Sequence, residues 1–175
     1  ISGVTMKLFE NKTICEESKT CCSFKDVFDA KNIAARLGFN HYVFNFSEDF
    51  YNEIIKKFAN EYINGLTPNP CIDCNKKIKF KKLLDRAIVL GYDNIATGHY
   101  ARIECDKSGR YLLKKAVDKS KDQTYFLYSM TQYELSKTIF PLGELLKSQV
   151  RNLAQKNNLI NAKKPDSQDI CFVKD

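Results

Sequence analysis

This sequence predicts an α/β fold built on a parallel sheet with helices on both faces, and three observations predict it. Strand-like and helix-like stretches alternate through the first hundred residues, the mark of parallel strands joined by helical crossovers. Apolar residues in the helical stretches recur three and four positions apart, so each stretch offers one face to a sheet. A glycine then follows each stretch, at Gly38, Gly65 and Gly91, where a helix can stop in the left-handed conformation.

The elements follow in order. Ser2–Leu8 reads as a strand. Val27, Ala30, Ile33, Ala34 and Leu37 mark a helix after Asp26, and HYVFNF (His41–Phe46) reads as the next strand. Phe50, Ile54, Ile55, Phe58, Ala59 and Tyr62 mark a second helix, with Ser47 as its expected N-cap. The two prolines of TPNPCIDCN (Thr67–Asn75) end that pattern. A third helix follows with Phe80, Leu83, Leu84, Ala87 and Ile88 on one face, and DNIAT (Asp93–Thr97) is a short strand leading into Gly98-His99. YARIEC and RYLLKKA flank Asp106–Gly109 as a hairpin. Helical stretches are expected around Gln123–Met130, Gln132–Lys137 and Ser148–Asn157. The expected division is an α/β domain over residues 1–115 and a smaller, mainly helical remainder over 116–175.

Composition narrows the function classes. With 175 residues, 43% of them hydrophobic, the chain can bury a real core. No apolar run approaches the ~18–20 residues of a membrane span, so no membrane partner is expected. Four prolines and seven glycines in ordinary company exclude a collagen-like chain. The opening ISGVTMKL has no initiator Met and no leader pattern; it reads like the inside of a strand, and the expectation is an internal fragment. Seven cysteines, an odd number, without a leader point to reduced thiols in a cytoplasmic setting rather than a disulfide scaffold. Cys105, on a strand, is expected to be a small buried hydrophobe; Cys15, Cys21 and Cys22 receive no role. Residues 1–75 hold 8 Lys and Arg against 10 Asp and Glu, and residues 76–175 hold 20 against 11. A basic excess confined to one part fits a polyanionic partner, or an ordinary lysine-rich surface.

Three places could carry chemistry. Cys71 and Cys74 form a C-x-x-C between the proline-rich loop and an expected helix start, where the helix dipole favours thiolate. Zinc would need a second ligand pair, and the chain has two histidines and no second C-x-x-C, so no metal site is assigned. Thiol chemistry and a structural role both stay open. Lys76, Lys77, Lys79, Lys81 and Lys82 load the expected first turns with positive charge; against the dipole this makes sense where an anion such as nucleic-acid phosphate binds. Gly98-His99 follows a strand of a parallel sheet, where ligands bind beyond the carboxyl ends. A lone histidine there could equally be structural. No G-x-G or Walker A pattern occurs, so a phosphate-gripping loop is expected elsewhere.

Six segments stand together in order: GVTMKL (Gly3–Leu8), GLTPNPCIDCNKKIKF (Gly65–Phe80), IATGHYARI (Ile95–Ile103), KDQTYFLY (Lys121–Tyr128), PLGELLKSQVRNLA (Pro141–Ala154) and DSQDICFV (Asp166–Val173). On these the chain resembles the tRNA-specific 2-thiouridylases, which replace the C2 oxygen of the wobble uridine with sulfur. The resemblance implies an adenine-nucleotide-binding α/β domain of the pyrophosphate-loop type. It also implies an S-G-G-x-D-S loop upstream of Ile1, and a central domain and β-barrel after Asp175.

The resemblance further implies that Met6 and Gly98 contact ATP, with Mg2+ accompanying the nucleotide. Asn69, Pro70 and Cys71 match the segment that meets the target base, and His99, Lys121, Asp122 and Gln123 match tRNA contacts. Cys74 matches the catalytic nucleophile and Cys171 the persulfide carrier, served by a sulfur-carrier protein; the two would end as a disulfide. Cys71 makes a third thiol, so an iron–sulfur cluster on Cys71, Cys74 and Cys171 is the alternative to persulfide chemistry. A non-catalytic tRNA-binding fragment is the other alternative, and the fragment alone is expected to be inactive.

Overall fold

Strand β1 (Ser2–Lys7) pairs in parallel with β2 (Asn40–Asn45), and the register sets Met6 opposite Phe44. The crossover between them is helix α1 (Phe24–Leu37), closed by Gly38 at φ +77°. The computed structural model describes residues 1–9, 24–164 and 170–173, so Cys15, Cys21, Cys22 and Asp166–Asp169 lie outside the described residues. The chain divides into two compact units: residues 1–70 with 154–175, and residues 71–153.

In the first unit the second helical run begins as α2 (Ser47–Phe50), winds with π spacing over Tyr51–Ile55, and ends as α3 (Lys56–Ile63). Its N-cap is Phe46, not Ser47. The side chain that meets the helix start is Asn45, whose Oδ1 accepts the Ser47 amide at 3.0 Å and the Ser47 hydroxyl at 2.7 Å. Asn45 ends a paired strand and can turn its carboxamide onto the next amides, which leaves Ser47 inside the helix. Phe50 and Ile54, each 1% exposed, form the unit's core with Leu8, Phe9 and Ala34. Phe172 is wedged into it, edge-on to Phe50 at 5.7 Å and to Phe58 at 5.2 Å.

A helical run starts on the last residue of the first unit's opening segment and continues into the second unit through α4 (Pro70–Asp73), the π-wound stretch Cys74–Leu83 and α5 (Leu84–Val89). Proline at the first helical position costs nothing, because its missing amide would be unpaired there. Two-residue β3 (Ile95–Ala96) pairs in parallel with β6 (Thr138–Ile139), and β4 (Ala101–Cys105) pairs antiparallel with β5 (Tyr111–Lys115). Asp106 closes this hairpin, its Oδ1 accepting the Ser108 and Arg110 amides, and Gly109 takes φ +83°. Cys105, at the end of β4, is exposed rather than buried, because the strand runs out there into the turn. A 3-10 turn (Thr124–Leu127), α6 (Gln132–Ser136) and α7 (Lys147–Lys156) complete the chain order. Phe80, Leu84, Ala87, Ile95, Ala101, Leu127 and Phe140 make one buried cluster. Gly143 lets the chain cross β4 closely: a Cβ there would stand 1.9 Å from the Ala101 carbonyl oxygen.

Candidate functional site

The helical run from Pro70 places Cys71 in its first turn, exposed, and Cys74 one turn further in, buried. The dipole argument therefore applies at Cys71 rather than Cys74, since the effect fades beyond the first turn. It does not reach Lys79, Lys81 or Lys82, and the lysines mark a basic flank rather than a loaded helix start. Lys76 and Lys81 are exposed, and Lys77, Lys79 and Lys82 are half-buried. Lys81 lies 3.4 Å from Asp85. Winding at i to i+5 over Cys74–Leu83 is rare at this length and recurs at functional sites. Asn75, 3% exposed, donates from Nδ2 to the Phe126 carbonyl at 3.1 Å, tying this stretch to the 3-10 turn. Its Oδ1 is buried with no hydrogen-bond partner.

His99 stands against Phe80 and Phe140, with ring centroids 5.7 and 5.9 Å away. Its Nδ1 shares a 2.8 Å hydrogen bond with the Thr97 hydroxyl. Burial, with the nearby Lys79 charge second, lowers its pKa from 6.5 to about 3. The imidazole is neutral at any physiological pH, so it can meet a base or a hydroxyl but supplies no positive charge for a phosphate. Gly98, two residues past β3, has room beside it: an added Cβ would meet only Leu142 Cδ1 at an ordinary 3.7 Å. The chain's own packing thus places no demand for glycine there.

The segment Lys121–Gln123 is braced by its own side chains. Gln123 exchanges two bonds with Tyr100, its amide donating to the Tyr100 carbonyl at 2.9 Å and its Oε1 accepting the Tyr100 amide at 3.0 Å. Asp122 accepts the Ala116 amide at 2.8 Å and the Thr124 hydroxyl at 2.6 Å. Asp118 accepts the Lys147 amide at the start of α7, and Lys147 Nζ lies 5.6 Å above the Tyr100 ring. The second unit thus gathers Cys71, Cys74, Gly98, His99 and Lys121–Gln123. Met6, Asn69, Pro70 and Cys171 belong to the other unit. Met6 lies one residue from the carboxyl end of β1. Cys171 is half-buried and is fixed through its neighbour Phe172.

Sequence reasoning missed Asn75 and Phe172. Asn75 carried no motif signal of its own, while Phe172 answers the outlying aromatics Phe50 and Phe58, which could have been read as a socket. Among the described residues, no group of three or more His, Cys, Asp and Glu side chains gathers as a metal site requires. Among them, too, no helix is long and apolar enough to cross a membrane.

A family model described as tRNA methyl transferase HUP domain matches residues 1–175. The chain is 54% identical over 180 residues to a protein of Caldicellulosiruptor saccharolyticus named tRNA-specific 2-thiouridylase MnmA. It is 52% identical over 178 residues to one of the same name in Carboxydothermus hydrogenoformans, and 49% over 176 residues to one in Clostridioides difficile. Each match covers 100% of this chain and 49% of the relative, so the chain spans about half the length of the curated relatives it matches. The matched family and the helix-flanked parallel pairs β1–β2 and β3–β6 agree with the α/β fold read from the sequence.

Proposed function

Because the chain belongs to the tRNA methyl transferase HUP domain family, we propose that it is the nucleotide- and tRNA-handling part of an enzyme that converts a wobble uridine to 2-thiouridine. The observation that carries this reading is Cys74, buried at the start of a π-wound, lysine-rich stretch, with neutral His99 packed on Phe80 of that stretch. The family description speaks of methyl transfer, whereas the relatives' names speak of thiolation. Thiolation is favoured because two cysteines, Cys74 and Cys171, stand in the segments that carry the resemblance, and sulfur transfer from a persulfide uses a pair of thiols, one to carry the sulfur and one to release it.

In this reading Met6 and Gly98 contact the adenine nucleotide, and Mg2+ accompanies its phosphates. The uridine C2 oxygen attacks the α-phosphorus of ATP and expels pyrophosphate, which makes AMP the leaving group at C2. A sulfur-carrier protein charges Cys171 as a persulfide. The terminal sulfur attacks C2, AMP departs, and the Cys74 thiolate attacks Cys171 Sγ, freeing 2-thiouridine and leaving a Cys74–Cys171 disulfide. If Cys74 attacks first, it liberates hydrosulfide, which then attacks C2 with the same balance. A thiol reductant or the sulfur carrier supplies the two electrons that reset the pair. Asn69, Pro70 and Cys71 meet the base, and His99, Lys121, Asp122 and Gln123 contact the tRNA. The reaction belongs to the reduced cytoplasm. The α/β part over residues 1–115 holds the nucleotide, and residues 116–175 lead toward a central domain. The chain by itself is inactive.

The test is thiolation of tRNA by the protein expressed from its whole reading frame, with ATP and a persulfide donor. Cys74→Ser and Cys171→Ser are each expected to abolish product, while Cys74→Ser still accepts a persulfide on Cys171. Cys71→Ser is expected to keep substantial activity, because a base-contact position needs shape and polarity rather than a thiol. A dead Cys71→Ser enzyme whose parent carries stoichiometric iron would replace this mechanism with a three-cysteine iron–sulfur one. Full thiolation by Cys171→Ser would sink both.

A further inference from the structure

We propose that Tyr125 and Tyr128 form a stacking surface for unpaired RNA bases, held beside the Cys74 stretch; this rests on the tRNA reading above and names residues that it leaves idle. Tyr125 is 66% exposed and Tyr128 69% exposed. They stand three residues apart on the 3-10 turn Thr124–Leu127 and its αR-conformed C-cap, a spacing at which side chains eclipse and share a face. Between them, Leu127 is 1% exposed and Phe126 is half-buried. The turn therefore spends its inner residues on the core and presents two phenol rings outward.

This turn is rigidly founded, which matters because a floppy ring loses on ordering much of what stacking gains. Phe126 donates its amide to the Gln123 carbonyl, and its own carbonyl accepts Asn75 Nδ2. Gln123 is in turn bonded twice to Tyr100, and Asp122 to Ala116 and Thr124. Asp122 and Gln123 thus act as positioning residues for the two rings. The same element carries the rings next to the lysine-rich stretch, through the Asn75 bond.

Charge selects the occupant. Residues 71–153 hold 16 Lys and Arg against 9 Asp and Glu, and Lys119 and Lys121 lie in the segment just upstream of the turn, ahead of Asp122 and Gln123. A cationic surface with outward aromatic rings is how single-stranded nucleic acid is held, by backbone attraction and base stacking together.

These 175 residues contain no tryptophan, so Tyr125→Trp adds a reporter here, read as the difference in emission between the variant and its parent. Its emission is expected to be quenched by tRNA bearing an unpaired anticodon loop, and to be unmoved by heparin, a polyanion without bases. Tyr125→Ala with Tyr128→Ala is expected to raise the Kd for tRNA by about fivefold or more with an unchanged salt slope, since stacking releases no counterions. The Phe counterparts should bind within twofold of wild type. If wild type binds tRNA but the double Ala variant binds equally well and the tryptophan is not quenched, the stacking surface is overturned and the tRNA reading stands. If wild type binds no tRNA, both fall. A Tyr125→Trp emission already shielded from solvent in the RNA-free protein from the whole reading frame would also overturn the proposal, by showing the rings covered by protein.

Discussion

Residues 71–153 carry 16 Lys and Arg against 9 Asp and Glu, while the other unit carries 12 of each. The whole net charge of +7 therefore sits in the unit with Cys74, His99 and the braced Lys121–Gln123 segment. The neutral unit holds Cys171 through an aromatic wedge instead, with Phe172 edge-on to Phe50 and Phe58. The contrast separates two tasks in the proposed reaction. One unit meets a polyanion and needs charge. The other presents a sulfur-bearing thiol and needs a fixed position. Each unit also holds one of the two histidines, which makes them internal controls for each other.

The largest contrast is expected in RNA binding. Replacing Lys76, Lys77, Lys79, Lys81 and Lys82 by Gln should weaken tRNA binding and cut the slope of log K against log salt. Each phosphate left without its lysine lowers that slope by about 0.7–0.9 units. The same change at Lys25, Lys31, Lys56 and Lys57 of the neutral unit should leave the slope near wild type. Equal weakening from the two sets, in filter binding across a salt series, would dissolve the distinction.

Next in size is a packing contrast between two glycines. At Gly143 a Cβ would meet the Ala101 carbonyl carbon at 2.7 Å as well as its oxygen, backbone that cannot turn away. At Gly3 it would meet Phe39 Cε2 at 3.1 Å and His41 Cδ2 at 3.2 Å, both side-chain tips. Gly143→Ala should cost about 3 kcal/mol in urea unfolding and Gly3→Ala about 1 kcal/mol or less. A Gly143→Ala protein with an unchanged midpoint would mean that the chain crosses β4 at a greater distance than the structure shows.

The smallest contrast is in pH. Burial lowers the His99 pKa to about 3, so below pH 6.5 the unfolded chain takes up a proton that the folded chain refuses. Its contribution is complete above about pH 6.5 and is lost as pH falls toward 3, at up to about 1.4 kcal/mol per pH unit. His99→Gln should therefore lose less stability than wild type between pH 7 and 5.5, by about 1.3 kcal/mol. His41 is lowered too, by burial and then by Lys31, but it is mostly solvated and its replacement should matter far less. Parallel pH curves for wild type and His99→Gln would show that the ring is not shielded.

What the sequence determined by itself is what neighbours along the chain decide. The helix over Val27–Leu37 and its stop at Gly38, the hairpin around Asp106–Gly109, and the basic excess after residue 75 were all legible. Spacing, turn chemistry and charge are local quantities that need no partner. The cysteine and base-contact positions were legible only through the resemblance of whole motifs. Tertiary structure alone decided the rest. Thr138–Ile139 is a strand only because Ile95–Ala96 lies beside it, and two residues carry no period of their own. Ser47 lies inside its helix with Phe46 as the N-cap and Asn45 bonded to the Ser47 amide, and the helix expected after the proline-rich segment began within it, at Pro70. His99 lost its charge to the rings of Phe80 and Phe140, which are 19 and 41 residues away in the sequence. Asp122 and Gln123 turned to the backbone of Ala116 and Tyr100. In each case the deciding free energy, burial of a ring or satisfaction of a buried amide, comes from a partner whose position exists only once the chain has folded.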